Sequence, residues 1–415
     1  METLNLKRIL VLTSDMGFGH RSAAKAIHDA LLMEYGDNVA VTIVNPMDHG
    51  KVPSFYRDNP EAYDLLVKRL PDLYNLTYKA VDLPFTAPLV ENVNTAMLLE
   101  AMLEIFSEVQ PHVVVVTREN YLSTLWAIRT ITRKRVPIVT VITDLGTVHR
   151  VWFNTVSTLT CVPNQHVYDM GIAEKIPPSQ LKITGIPVHP RISAETRDKR
   201  EIRQSLGWQP DLKTALLVGS TRSRGLVDTV RVLNHCNFPI QLAIVTGGDD
   251  TTYAQLEAME WHVPTHLYNF VDNMPQLLRA SDMLGCKAGG LIITEGLAVG
   301  LPLLLFDAIE GQETGNIDYV VENGAGVFMG PSLDLLEAMH DWFSEDFALL
   351  NTLATRAQQL GFPRSSFEIA HKVYSYATGE SLVPLSRGAV RVRHARLRVQ
   401  ELRDWFSKLF NDMSL

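Results

Sequence analysis

The chain has 415 residues, 46% of them hydrophobic and 20% charged, with a formal net charge of −8. That length exceeds one ordinary hydrophobic core, so two domains are expected, and the composition excludes a disordered polypeptide. The acidic balance argues against bulk binding of nucleic acid.

The opening METLNLKR leads directly into a strand, so no signal peptide is expected. RILVLTSD (8–15) reads as a buried strand and RSAAKAIHDALLMEY (21–35) as a helix with Ala24, Ile27 and Leu31 on one face. Residues 39–45, 112–117, 137–143 and 158–163 read as further strands, with STLWAIRTIT as a helix between the second and third of these. The same alternation restarts with strands at 214–220, 240–247, 265–271, 282–287 and 301–307. Alternating strands and helices predict an α/β chain with two mostly parallel sheets. Between them, residues 183–212 are rich in proline and charge and read as a linker opening into a helix. Two Rossmann-like domains so joined enclose a cleft at the carboxyl ends of their strands, where ligands bind in such folds. Cys161, Cys236 and Cys286 lack zinc or disulfide spacing and fit a reducing compartment. No apolar run approaches the roughly 18 residues of a membrane span.

The stretch SDMGFGH follows the first strand. Gly17 and Gly19 permit a sharp turn and close approach of backbone to a ligand, and the helix start behind them favours an anion. A dinucleotide fingerprint would need a third glycine where Ser22 stands. His20 at this turn is either a general base for a hydroxyl nucleophile or a helix-capping histidine. Asp144, ending VTVITD, either orients His20, binds an acceptor or caps its strand. A second turn, KAGGL, makes Gly289, Gly290 and Leu291 a bare helix start suited to a diphosphate. Glu295, further along that helix, can accept both hydroxyls of a ribose, and GQETGN supplies Gln312, Glu313 and Asn316 for sugar hydroxyls. Their order along one strand–helix–strand–loop unit points to a nucleotide sugar. Asp249–Asp250 reads as a solvated turn, and no metal site is expected.

SDMGFGHRSAAKAI together with KAGGLIITEGLAVGLPLLL and GQETGNIDYVVENGAG resembles the monogalactosyldiacylglycerol synthase and processive diacylglycerol glucosyltransferase family, and more distantly the lipid II glycosyltransferase. The resemblance runs over residues 7–375 through LVKRLPDLYNLTY, VITDLGTVHRVWF and LYNFVDNMPQLLRASDML. It implies a GT-B fold, a UDP-hexose donor (galactose or glucose), inverting transfer to a lipid hydroxyl such as that of 1,2-diacylglycerol, and no required cofactor. By position His20 resembles the base, Glu295 the ribose ligand, and Gln312 and Glu313 the sugar contacts. Phe270 and Val271 resemble the uracil-reading edge, and Gly219 with Arg222 the turn facing the phosphates. Gly17, Phe18, Gly19, Pro71, Tyr74 and Trp152 fall on the acceptor side. Phe18 stands where the family usually has a glycine, so a polyprenyl-linked or soluble acceptor stays open, as does a non-catalytic nucleotide-sugar or lipid sensor.

The expected division is an acceptor domain at 1–195 containing an aromatic and basic insertion at 50–95, and a UDP-sugar domain at 200–365. A helix at 366–386 returns toward the first domain, and 387–415 is a basic amphipathic tail. The insertion and tail suit an anionic membrane surface or packing on the protein itself. The expected location is cytoplasmic, peripheral to the cytoplasmic membrane.

Overall fold

A computed structural model of the chain describes residues 6–15, 18–57, 87–235, 238–330 and 333–379. In the first half β1 (Lys7–Leu12) leads into α1 (Phe18–Tyr35) and β2 (Val39–Val44). Helix α2 (Ala87–Val109) precedes β3 (Val113–Val116), α3 (Leu122–Thr132) and β4 (Ile138–Val141). β5 (Leu159–Val162), α4 (Gln165–Ala173) and β6 (Leu181–Ile183) complete it. These six strands form one sheet in the order β2-β1-β3-β4-β5-β6, with every pairing parallel.

Short helices α5 (Arg191–Ala194) and α6 (Lys199–Ser205) carry the chain across to the second half. There β7 (Lys213–Val218), α7 (Leu226–Asn234), β8 (Ile240–Val245), α8 (Asp250–Glu257), β9 (Thr265–Tyr268) and α9 (Met274–Ala280) come first. They are followed by β10 (Met283–Lys287), α10 (Gly290–Val299), β11 (Leu303–Asp307), α11 (Thr314–Glu322) and β12 (Gly326–Phe328). The second sheet is again six-stranded and parallel, in the order β12-β11-β10-β7-β8-β9. Helices α12 (Leu333–Phe343), α13 (Ala348–Leu360) and α14 (Ser365–Thr378) end the described chain.

The central strands are apolar throughout because helices cover both of their faces. Ile9, Leu10, Val11 and Leu12 of β1 are all fully buried. On one face Ala24, Ile27, Ala30 and Leu31 of α1 pack on Ile9 and Val11, the small alanines letting the helix lie close to the sheet. On the other, Leu98, Met102 and Ile105 of α2 meet Leu10 and Leu12. The 23-residue α2 opens with Pro88 in its first turn, where the missing N–H costs no helical bond. It begins inside the segment read from sequence as an insertion, so residues 87–95 are regular helix.

Helix α14 follows the second half in sequence but packs in the first, where Phe367, Ala370 and Val373 join the core around α1. Tyr374 stacks on Tyr35 at 3.8 Å between ring centroids. Beside this return, the Ser365 hydroxyl accepts from Val188 N (3.0 Å) and the Ser366 hydroxyl donates to Val188 O (2.7 Å). The two passages between the halves are thereby clasped side by side.

Candidate active site

In a doubly wound parallel sheet a crevice opens where neighbouring strands send their connections to opposite faces. Here that happens beside β1 and β3 in the first sheet and beside β7 and β10 in the second. The loops leaving these strand ends line one cavity between the halves. From the first half come Gly19 and His20 at the start of α1 and Thr143, Asp144, Leu145 and Thr147 after β4. From the second come Gly219, Ser220, Arg222 and Ser223 after β7, Lys287 and Gly289 to Ile292 at and after the end of β10, and Ile309, Gln312, Glu313 and Asn316 after β11.

His20 sits in the first turn of α1. Its Nδ1 lies 2.8 Å from the carbonyl oxygen of Thr117 and 2.8 Å from Thr143 Oγ1. A carbonyl oxygen only accepts, so Nδ1 carries the proton and Nε2 is the basic atom of the neutral ring. Asp144 does not orient this imidazole: its Oδ2 accepts from Trp152 Nε1 at 2.8 Å. Burial, and next the Glu119 carboxylate, push Asp144 up to about 7, against the opposing pull of the Trp152 N–H and Arg118. Trp152 is fully buried, its ring centroid 6.5 Å from that of His20.

Across the cavity, Gly289 precedes α10 without a side-chain cap, so the first N–H groups of the helix open toward the cleft. Lys287, at the end of β10, pairs with Glu313 at 2.6 Å, both side chains being largely buried. The other Glu313 oxygen accepts from Ile309 N at 2.7 Å, so this carboxylate shapes the loop that carries Gln312. Asn316 uses both ends of its amide: Nδ2 donates to Ala288 O (2.9 Å), and Oδ1 accepts from Gly146 N of the opposite half (2.9 Å). Glu295 is half-buried on α10, one turn beyond the cavity-lining Leu291 and Ile292, and burial pushes its carboxyl up to about 7.

Of the residues singled out in the sequence, Gly19, His20, Asp144, Gly219, Arg222, Gly289, Gly290, Leu291, Gln312, Glu313 and Asn316 line this one cavity. Phe270 projects from the loop after β9, 72% exposed, and Val271 packs partly on the core of the second half, so neither lines it. Gly17, the Phe18 side chain, Pro71, Tyr74 and the 387–415 tail lie outside the described residues. Sequence reading passes over Thr117, Thr143, Thr147 and Lys287. Lys287 ends its strand directly before the Ala-Gly-Gly turn, a place where a cation facing a diphosphate could be sought.

Two family profiles match the chain: monogalactosyldiacylglycerol (MGDG) synthase over residues 20–188 and the glycosyltransferase family 28 C-terminal domain over 215–330. The probable chloroplastic monogalactosyldiacylglycerol synthase of Glycine max is 31% identical over 396 residues, spanning 91% of this chain and 73% of the relative. Monogalactosyldiacylglycerol synthase 2 of Arabidopsis thaliana is 32% identical over 387 residues, spanning 88% and 80%. Among solved structures, Acinetobacter baumannii MurG superposes with a TM-score of 0.55 at 14% identity, covering 89% of this chain and 99% of MurG. The calicheamicin glycosyltransferase CalG4 gives 0.55 at 14% identity, over 90% and 98%. The UDP-GlcNAc 2-epimerase of Neisseria meningitidis gives 0.57 at 14%, over 88% and 99%. The architecture is therefore GT-B, and since an epimerase shares it, the fold does not by itself decide the reaction.

Proposed function

As a member of the monogalactosyldiacylglycerol synthase family the chain is a glycosyltransferase, and we propose that it moves a hexose, galactose or glucose, from a UDP-sugar to the hydroxyl of diacylglycerol. The observation that carries the mechanism is the position of His20, whose proton is held on Nδ1, in the same cavity as the uncapped start of α10. A base on one side and an anion site on the other are the two groups a glycosyl displacement needs.

The acceptor oxygen attacks the anomeric carbon from the face opposite the diphosphate, and its proton passes to His20 Nε2. The bond between that carbon and the β-phosphate oxygen breaks with its electron pair on the departing UDP. The configuration inverts in this single displacement. The N–H groups at Gly290–Ile292 and the Lys287 ammonium supply fixed positive potential for the leaving diphosphate. Glu295, on the same helix, takes the ribose hydroxyls, and Gln312 reads the hexose. Diacylglycerol resides in a bilayer, so the enzyme works peripherally at a membrane surface. Six arginines in the 387–415 sequence, in a chain of net charge −8, support contact with anionic headgroups.

The test offers purified protein diacylglycerol in anionic vesicles with UDP-galactose or UDP-glucose, alongside His20→Ala. Glycolipid should form from one donor, and His20→Ala should lose on the order of 10²- to 10⁴-fold in turnover while keeping its UDP affinity. Intact UDP binding without product from either donor would remove diacylglycerol as the acceptor. Unimpaired turnover by His20→Ala would remove His20 as the base.

A further inference from the structure

The loop after β4 touches both the base and the donor half. We infer that Thr143 is a positioning residue for His20, and that Asn316 holds the Thr143 loop in register with the donor-binding helix, so that orientation of the base depends on contact between the halves. This rests on the reading of His20 given above. Because Nδ1 donates to Thr117 O, the Thr143 hydroxyl 2.8 Å away also faces an N–H and accepts from it. Two uncharged oxygens therefore do what a carboxylate commonly does beside a catalytic histidine, and the adjacent carboxylate, Asp144, is turned to Trp152.

Three residues after Thr143 the loop crosses to the other half. Gly146 N donates to Asn316 Oδ1 at 2.9 Å, and Gly315 N donates to Thr147 Oγ1 at 3.2 Å. The crossing has no room for side chains: a Cβ on Gly146 would lie 2.0 Å from Gly315 O, and one on Gly315 would lie 2.6 Å from Thr147 Oγ1. Asn316 Nδ2 meanwhile holds Ala288 O, immediately before the Gly289–Gly290 turn. From its own half the loop is held by Asn164, whose Nδ2 donates to Leu145 O at 2.9 Å, and by Trp152 at Asp144. Separation of the halves removes the Gly146 and Thr147 bonds, and Thr143 loses the support that aims its hydroxyl at His20. An unengaged donor half thus leaves the base unaligned, which protects bound UDP-sugar from transfer to water.

The experiment compares full-length wild type, Thr143→Val, Thr143→Ser and Asn316→Asp. Asn316→Asp keeps an acceptor for Gly146 N but replaces the donor to Ala288 O with a second acceptor. Turnover with diacylglycerol vesicles, donor KM and the pH profile are read alongside 15N-histidine NMR, with His20→Asn identifying the His20 signal. Thr143→Val should lower kcat on the order of 10- to 100-fold with donor KM kept. Its acid limb should move to lower pH, because the imidazolium has lost an acceptor. Thr143→Ser should restore most of the rate. The NMR signal should report protonated Nδ1 in wild type and a tautomer mixture in both Thr143→Val and Asn316→Asp. An unchanged tautomer in Thr143→Val, or a Thr143→Ser as impaired as Thr143→Val, overturns the role of Thr143. A weakened UDP affinity in Asn316→Asp with an unchanged His20 signal overturns the coupling. The NMR arms need no turnover, so a wild type inactive on diacylglycerol refutes the acceptor assignment separately.

Discussion

Glu295→Gln tests whether the carboxylate proposed for the ribose is held against its own stability. Burial pushes Glu295 from an ordinary 4.5 to about 7, so the native state binds its proton more tightly than the unfolded chain does. A raised carboxyl costs nothing below its unfolded value, and the cost grows as pH rises toward the folded value. By pH 8 the gap corresponds to about 3 kcal/mol. Glutamine is neutral throughout, so Glu295→Gln should be more stable than wild type by up to that amount at pH 8 and little different at pH 4.5. Thermal unfolding at the two pH values reads this as a rise of several degrees in Tm at the higher pH alone. Binding gives the opposite sign. Ribose hydroxyls donating to the carboxylate favour its charged form, so UDP binding near pH 6.5 should release a proton in wild type and none in Glu295→Gln. Calorimetry in buffers of different ionisation enthalpy measures that release. The variant should also bind UDP on the order of 10-fold more weakly, having lost a charged acceptor. Equal Tm shifts at both pH values, or proton release unchanged by the substitution, would refute a carboxylate held neutral by burial until the ligand arrives.

Lys287→Met strands the buried Glu313 carboxylate and should cost about 3–5 kcal/mol, most of which Lys287→Met/Glu313→Gln should recover. Chemical unfolding of the two variants checks this, and a single-mutant loss below about 1 kcal/mol would contradict a tightly buried pair. Gly146→Ala drives a methyl into Gly315 O, so the halves cannot meet as they do here. Turnover should fall on the order of 10²-fold while UDP, whose proposed site is in the second half, binds as before. Full turnover would mean the glycine crossing is not part of the reacting state.

Central strands are legible in the sequence because burial on both faces leaves continuous apolar runs, such as ILVL in β1 and VVVV in β3. β6 and β12 are not, since three residues at a sheet edge are too short to show any period. Helix α2 escapes for a different reason. Its sequence APLVENVNTAMLLEAMLEIFSEV spreads apolar residues around the axis, because the helix is flanked by more of the protein than the sheet alone, and its start lies among prolines that read as loop. The glycine turns after β1 and β10 are readable because each places a helix start at the carboxyl end of an apolar strand, a local pattern that needs no knowledge of the partner half.

The roles of the polar residues are another matter, because they depend on which loops face each other across the cleft. Asp144 and His20 look like natural partners when only strand ends are known, yet Trp152, eight residues on, takes the Asp144 carboxylate. The oxygens that reach His20 are those of Thr117 and Thr143, 97 and 123 residues distant in sequence. Asn316 reads as a sugar ligand because it sits in a polar loop beyond α10, and in the structure, while lining the cavity, its amide bonds Ala288 and Gly146, the latter 170 residues away. In each case the local sequence identifies a polar group near the cavity, and the long-range contact shows which other residue that group holds in place. A buried amide or carboxylate must satisfy its hydrogen bonds somewhere, and in a two-domain cleft the nearest partner is often on the other domain. The Asp144 and His20 contacts lie within the first half, whereas Asn316 bridges the two halves, and it is through that bridge that the proposed donor engagement would reach the base.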